Sequence, residues 1–315
     1  VSGRPNVFVV GDAKCGTTSL YQMLADAPGV AVSAERKELH WFSRPDLVAR
    51  LAGPGDERLR GTFVDDEAEY LSHFAHATAA TPVVVDVSPS YLRSPGAAAR
   101  IAAFDPQARI VVVVRDPVDK VVSQYRHLVA EGREASQLAT ALEASEERRA
   151  AGWSDLFDYV GGGAYAEVVG RYLTTFGADR VRVEVFEELY GDDPAARDAL
   201  ATWLGTAFRV APPHRNRSGT PDTRSPLSRL AANRGLRGAL GRFLPRSARR
   251  RVGRIADRAV RLRQAPVTAE DRAWLRQRYA EDTATLERLL GRDLPWSTST
   301  STSTRTGDDG PRDPA

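Results

Sequence analysis

The sequence predicts an α/β fold, a doubly wound parallel sheet with helices on both faces and a helical C-terminal region. Three observations predict it. Four short apolar runs rich in β-branched residues recur along the chain, Val7 to Val10, Val83 to Val85, Ile110 to Val114 and Val181 to Val185. Each reads as a strand buried on both sides, the pattern of a parallel sheet. Helix-period stretches lie between them: Thr17 to Ala27, Glu67 to His76, Pro95 to Phe104, Pro117 to Val129 and Ala164 to Phe176. Strands alternating with helices call for the doubly wound arrangement, in which ligands sit beyond the carboxyl ends of the strands. A glycine-flanked segment joins the first strand directly to the first helix.

Beyond Asp193 the pattern turns helical, with amphipathic stretches at Pro194 to Leu204 and Ala269 to Leu290. One domain is expected over residues 1–296, its part from 227 to 290 basic and helical. The S-T-S-T-S-T-S-T tract and its sequel, 297–315, read as a disordered low-complexity tail. The chain has 315 residues, is 42% hydrophobic and carries a net charge of +3. Its single cysteine, Cys15, excludes an internal disulfide framework and suits a reducing compartment. No run is long enough to span a membrane, and the start V-S-G-R-P-N lacks a secretory layout. A cytoplasmic location is the expectation.

The first strand runs into G-D-A-K-C-G-T-T-S-L-Y, Gly11 to Tyr21. Strand, glycine-bounded loop and helix together form an anion cradle, a P-loop in the broad sense. Gly11 and Gly16 permit turns that other residues resist. The N–H groups of Gly16, Thr17 and Thr18 are expected to point at phosphate oxygens, aided by the helix dipole. In the common nucleoside-triphosphate version the lysine follows the second glycine. Here Thr17 holds that place and Lys14 sits inside the loop. That shift suits a shorter donor, with one 5′-phosphate and a leaving group beside it. Cys15, at a helix start but without a partnered base, reads as a small loop residue rather than a nucleophile.

The strand Ile110 to Val114 ends in R-D-P-V-D-K-V-V-S-Q-Y. Asp116 is a natural N-cap and Pro117 falls at the first helical position. Arg115 leaves the strand and Ser123 lies two turns into the helix. A guanidinium and a hydroxyl suit a phosphate monoester.

G-x-x-K-x-G-T-T-x-L resembles the 5′-phosphosulfate loop of PAPS-dependent sulfotransferases, above all the bacterial and heparan-sulfate-modifying branches. The Arg115/Ser123 spacing is similar to that family's 3′-phosphate motif. The resemblance implies that the chain is a sulfotransferase with PAPS as donor and needs no metal. It implies that Lys14, Cys15, Gly16, Thr17, Thr18 and Ser19 hold the phosphosulfate and that Arg115 and Ser123 hold the 3′-phosphate. H-R-N-R-S-G-T-P, His214 to Pro221, occupies the place of a late basic loop, with Arg217, Ser218 and Gly219 as its nucleotide contacts.

R-K-E-L-H-W-F, Arg36 to Phe42, places Glu38 and His40 in a loop near the cradle. Sulfonyl transfer needs an aligned acceptor and a base for its proton. The segment resembles one in carbohydrate sulfotransferases whose glutamate is the base, which makes Glu38 the first choice. His40, with an intrinsic pKa nearer neutral, is the second. Lys14 is the expected neutraliser of the leaving phosphate oxygen. Asp86 ends a strand, where an NTPase would hold Mg²⁺, but the resemblance implies an acid without that role. Val87 stands where heparan-sulfate-modifying members have lysine, which argues against a polyanionic sugar. Tyr91 and Tyr125 are open between acceptor pocket and core. His73 and His76 read as a solvated helix face.

From Arg224 to Arg263 there are thirteen arginines and one acid, Asp257. This segment could cap the donor, attract an acidic carrier or membrane surface, or be a solvated face. It nearly lacks aromatic residues, which disfavours nucleic acid. The acceptor stays open among small molecules, phenols and secondary metabolites, lipids and sugars. Two other readings compete: a P-loop kinase of small molecules, and a non-catalytic anion- or nucleic-acid-binding protein.

Overall fold

The computed structural model describes residues 3–209 and 266–297. Five parallel strands form one sheet: β1 (Val7–Val9), β2 (Val30–Val32), β3 (Val83–Val87), β4 (Arg109–Val114) and β5 (Val181–Val185), in the order β2-β3-β1-β4-β5. Six helices of eight or more residues are described: α1 (Thr17–Ala25), α2 (Ala97–Phe104), α3 (Pro117–Glu131), α4 (Ala166–Phe176), α5 (Ala195–Leu204) and α6 (Ala269–Leu290). The four expected strands are present. The fifth, β2, was not anticipated from the sequence. Its three residues, V-A-V, are too few to show a period, and it exists as an edge strand because β3 pairs with it from Val30↔Val83 to Val32↔Val85.

Strand residues alternate between two cores, as period-2 geometry requires. Phe8, Val84, Ile110 and Val112 pack with Ile101 of α2, Val169 and Tyr172 of α4 and Leu286 of α6. Val7, Val9, Val85, Val111 and Val113 pack with Leu20 and Leu24 of α1 and Leu200 and Leu204 of α5. The sheet is therefore covered on both faces. A third cluster joins Val118, Val121 and Tyr125 of α3 to Leu275 and Tyr279 of α6. Helix α6 opens with a capping box, the Thr268 hydroxyl and Asp271 exchanging bonds with each other's backbone. Asp282, midway along α6, accepts from the Tyr165 and Ala166 amides at 2.7 and 3.1 Å and so anchors the start of α4.

After β1 the chain crosses to the β2 side of the sheet, and after β4 it continues to the β5 side. The loops that follow these adjacent strands diverge. That divergence is the switch point where open α/β sheets bind ligands. Several expected helices are shorter than their patterns; the one from Glu67 ends at Ser72. His73 consequently lies past the helix, buried, with Nδ1 3.0 Å from the Ala34 carbonyl oxygen, while His76 is exposed. The expectation of one solvated face is corrected for His73. Arg217, Ser218, Gly219, the 224–263 arginine segment and the tail from 298 lie outside the described residues.

Candidate active site

The loop Gly11 to Gly16 leaves β1 at the switch point. Gly16 caps α1 in the left-handed region, with φ 81°, and makes no side-chain cap bond. The N–H groups of the first helical turn, at Thr17 and Thr18, have no intrahelical acceptors. Gly16 is required for a second reason. A Cβ there would stand 2.4 Å from the Tyr190 ring and 2.9 Å from the Phe186 ring. Tyr190 also donates its hydroxyl to the Gly16 carbonyl at 2.7 Å. These two aromatics, on the turn Phe186–Leu189 and just after it, floor the cradle. Nothing near Gly16 in the chain announced them.

Lys14 lies in the loop with a left-handed φ of 69°, and its carbonyl accepts from Arg115 Nη1 at 3.1 Å. The two sequence-predicted phosphate ends are thus in direct contact. The Arg115 guanidinium stacks over Phe186, 4.4 Å from the ring centroid. Its Nε is buried without a hydrogen-bond partner, and so is Glu187 Oε2 close by. Buried polar atoms left unpaired are costly, and here they fit a site completed by a ligand. Burial pushes the Glu187 carboxyl up to about 7, although the Asp116 amide donates to it at 3.2 Å. Asp116 caps α3 by accepting from the Val118 and Asp119 amides, with Pro117 at the first position. Ser123 is buried in the second turn of α3. A cavity of about 200 Å³ opens beside Asp116 and Pro117, bounded by Arg276, Thr283 and Trp296.

Cys15 departs from its place among the nucleotide contacts. Its side chain is wholly buried in the core beneath the loop, and its amide donates to the Asp12 carbonyl at 3.2 Å. Burial pushes its thiol up to about 12, which removes any nucleophilic role at neutral pH. The residue frames the loop from within.

The Glu38 segment follows β2, another strand end on the same side of the sheet. The Leu39 amide donates to Ser88 Oγ at 3.2 Å, and Ser88 donates to Asp86 at 2.8 Å. His40, held at φ 56°, has Nδ1 2.8 Å from Ser90 Oγ, which in turn lies 2.8 Å from Ser43 Oγ. His40 Nε2 is 3.9 Å from Glu38 Oε2. Burial holds the imidazole below its ordinary value, against the opposing pull of the Glu38 carboxylate. Burial alone would raise the Glu38 carboxyl, but Lys37, His40 and Lys14 together keep it below the usual carboxylate range.

Lys37 makes the contacts that the sequence alone did not give. Its Nζ donates to Thr17 Oγ1 at 3.0 Å, Thr18 Oγ1 at 3.3 Å and Glu38 Oε1 at 2.7 Å. One ammonium links the base candidate to the phosphate loop. Position 37 was visible as a cation beside Glu38, but β2 had to be seen before it could be placed over α1.

Asp86 is wholly buried and accepts from Tyr70 at 3.0 Å and Tyr91 at 2.7 Å, so burial brings it only to about 6. Tyr91 is a core residue, and so is Tyr125, whose hydroxyl donates to the Ser136 carbonyl at 3.0 Å. Val87 is wholly buried in β3. Among the described residues no group of three or more His, Cys, Asp or Glu is placed to hold a metal ion, and no helix is long and apolar enough to cross a membrane.

This geometry has counterparts in known proteins. The model of the sulfotransferase family matches residues 5–209. A crystal structure of a sulfotransferase from Alicyclobacillus acidocaldarius is 31% identical, with a TM-score of 0.68, over 92% of this chain and 97% of that one. Bifunctional heparan sulfate N-deacetylase/N-sulfotransferase 1 of Caenorhabditis briggsae is 24% identical over 64% of this chain and 22% of its own length. Human heparan sulfate glucosamine 3-O-sulfotransferase 3B1 is 24% identical over 67% of this chain and 48% of its own. The match thus spans about a fifth of the first curated relative and about half of the second.

Proposed function

Because the chain belongs to the sulfotransferase family, we propose that it moves a sulfonate group from PAPS to a hydroxyl or amine of an acceptor. The observation that carries this reading is Lys37, bonded at once to the phosphate loop's threonines and to Glu38. It brings a base within one side chain of the place where a 5′-phosphosulfate would sit. Lys14, Gly16, Thr17, Thr18 and Ser19 would hold the phosphosulfate, and Arg115 with Ser123 the 3′-phosphate. The unpaired Arg115 Nε supports that assignment.

In the reaction, an acceptor oxygen or nitrogen attacks sulfur in line with the departing phosphate oxygen. A new bond to sulfur forms as the sulfur–oxygen bond of the donor breaks. Glu38 takes the acceptor's proton. Lys14 and Lys37 neutralise charge on the phosphate that leaves, the kind of preorganised electrostatics that dominates loose transfers. His40 orients Glu38 from its anchor on Ser90. The acceptor is a small molecule, lipid or sugar. The relatives' names speak of carbohydrate, whereas the buried Val87 and the absence of a cation there favour one without many anionic groups.

Labelled-sulfonate transfer from PAPS to a broad acceptor panel tests the reading. Calorimetry sharpens it: adenosine 3′,5′-bisphosphate is expected to bind, and ADP with Mg²⁺ to bind poorly. Preference for ADP with Mg²⁺ would point to a kinase instead.

A further inference from the structure

Beneath the phosphate loop lies a buried charged group that the reaction above does not use. Asp12, the loop's second residue, is 3% exposed, and Lys120 of α3 is 1% exposed. Arg93 donates to Asp12 Oδ2 from Nε at 3.0 Å and from Nη2 at 2.6 Å. The Lys120 ammonium lies 3.3 Å from the same oxygen and donates to the Gly162 carbonyl at 2.6 Å. Arg93 is further bound to the carbonyls of Gly161, Gly162 and Ala164 at 2.9, 2.6 and 2.6 Å. The glycine run makes room for this. A Cβ on Gly162 would stand 2.8 Å from Lys120 Nζ.

Two cations here face one carboxylate, burial holding the Lys120 ammonium below its ordinary value against the pull of Asp12. The neighbouring protic groups do not supply a second anion: burial pushes the Cys15 thiol up to about 12 and holds the Tyr165 hydroxyl, 3.6 Å from it, well above its ordinary value. The other carboxylates nearby are only part-buried: Asp155 pairs with Arg50 at 2.7 Å while also acting on Arg93, and Asp158 accepts from the Gly161 amide at 2.7 Å. A surplus positive charge in a low-dielectric interior is costly unless an anion comes near. The loop above it is built to receive one, and Asp12 is part of that loop, its Oδ1 accepting from the Ala13 amide at 2.7 Å.

We infer that Lys120 supplies a buried positive charge that strengthens binding of the donor's 5′-phosphate group through the loop without touching it. Asp12 sets the size of that charge. The inference rests on the donor reading above and deepens it.

Calorimetry at low salt tests it with two probes, adenosine 3′,5′-bisphosphate and adenosine 3′-monophosphate, which lacks the 5′ group. Lys120→Met removes the surplus and is expected to weaken the bisphosphate roughly tenfold while leaving the monophosphate within about twofold. Adding Asp12→Asn to Lys120→Met returns the buried count to its original value, and the bisphosphate affinity should recover. A purely structural lysine would weaken both probes alike, with no recovery in the double variant, and that result overturns the inference. Should Lys120→Met not fold, Asp12→Asn is compared with the wild type. The single substitution carries one more positive charge and must bind the bisphosphate more tightly; equal affinities overturn the inference. A wild-type chain that binds neither probe overturns the donor reading itself. Binding of both with an unchanged affinity ratio in Lys120→Met overturns the inference alone.

Discussion

The phosphate loop and the stretch carrying Glu38 each follow a parallel strand and each hold non-glycine residues in the left-handed region, Lys14 in the first and Glu35 and His40 in the second. They are built differently. The loop is held by its strand neighbours, the Val10 and Asp12 amides donating to Val111 and Val113 at 2.9 and 3.3 Å, and by the buried ions beneath it. The Glu38 segment follows a three-residue edge strand and hangs on side-chain hydroxyls, Ser88, Ser90 and Ser43. Strain of this backbone kind costs on the order of 1–3 kcal/mol and persists only where the surroundings impose it. The phosphate loop is thus part of the sheet's framework, whereas Glu38, the proposed base, rests on a removable set of hydrogen bonds. Substitutions should therefore separate binding from chemistry.

The largest effect is expected at Glu38. Glu38→Gln should lower turnover by about 100-fold or more, the usual range for a lost general base. The affinity for adenosine 3′,5′-bisphosphate should stay unchanged by calorimetry. A parallel loss of both would break the distinction between the two regions. Lys14→Ala comes next: turnover and donor affinity should fall together, each by more than roughly tenfold, with an unaltered melting temperature as the control.

Lys37→Met probes the link between the regions. Turnover should drop by about tenfold, and the pH–rate profile should move as well. The base works deprotonated, so activity is lost as pH falls through the Glu38 pKa. Lys37 is a main cause holding that pKa below the ordinary carboxylate value against burial. Its removal should shift the acid limb to higher pH. An unmoved limb would exclude Glu38 as the titrating base.

The smallest effect concerns the support behind the base. Asp86 has a folded pKa of about 6, above its value in the unfolded chain, because burial outweighs the three hydroxyls that donate to it. The folded state therefore holds this proton more tightly. Stability from this group decreases as pH rises through about 6 and returns as pH falls. Measured against Asp86→Asn, the wild-type melting temperature should gain ground between pH 7 and pH 5. No relative gain would mean that the carboxyl is ionised throughout.

Much of this molecule could be read before any coordinates. Strands, long helices, the Gly11–Thr18 loop and the Asp116–Pro117 helix start are contiguous patterns whose physics is local: β-branched runs, a missing Cβ at Gly16, a capping carboxylate. Glu38 is legible by resemblance, whereas its neighbour Lys37 shows in the sequence only as a cation beside it. Cys15 was counted among ligand contacts because it sits in the loop, yet a loop residue can face inward, and only the packed core under β1 shows that it does. Tyr91 and Tyr125 were undecided for the same reason, since burial of an aromatic depends on what covers it.

The sequence by itself determined the class of sheet, the anion cradle and the two cations at its ends, Lys14 and Arg115, because each is specified within a dozen consecutive residues. Tertiary structure decided which distant groups converge on that cradle: Lys37 over Thr17 and Thr18, Phe186 and Tyr190 beneath Gly16, Arg93 and Lys120 around Asp12. Those partners lie from about 20 to 174 positions away along the chain. Their meeting follows from parallel strands that bring remote loops to one edge of the sheet, an outcome of side-chain packing and strand order that no local pattern encodes.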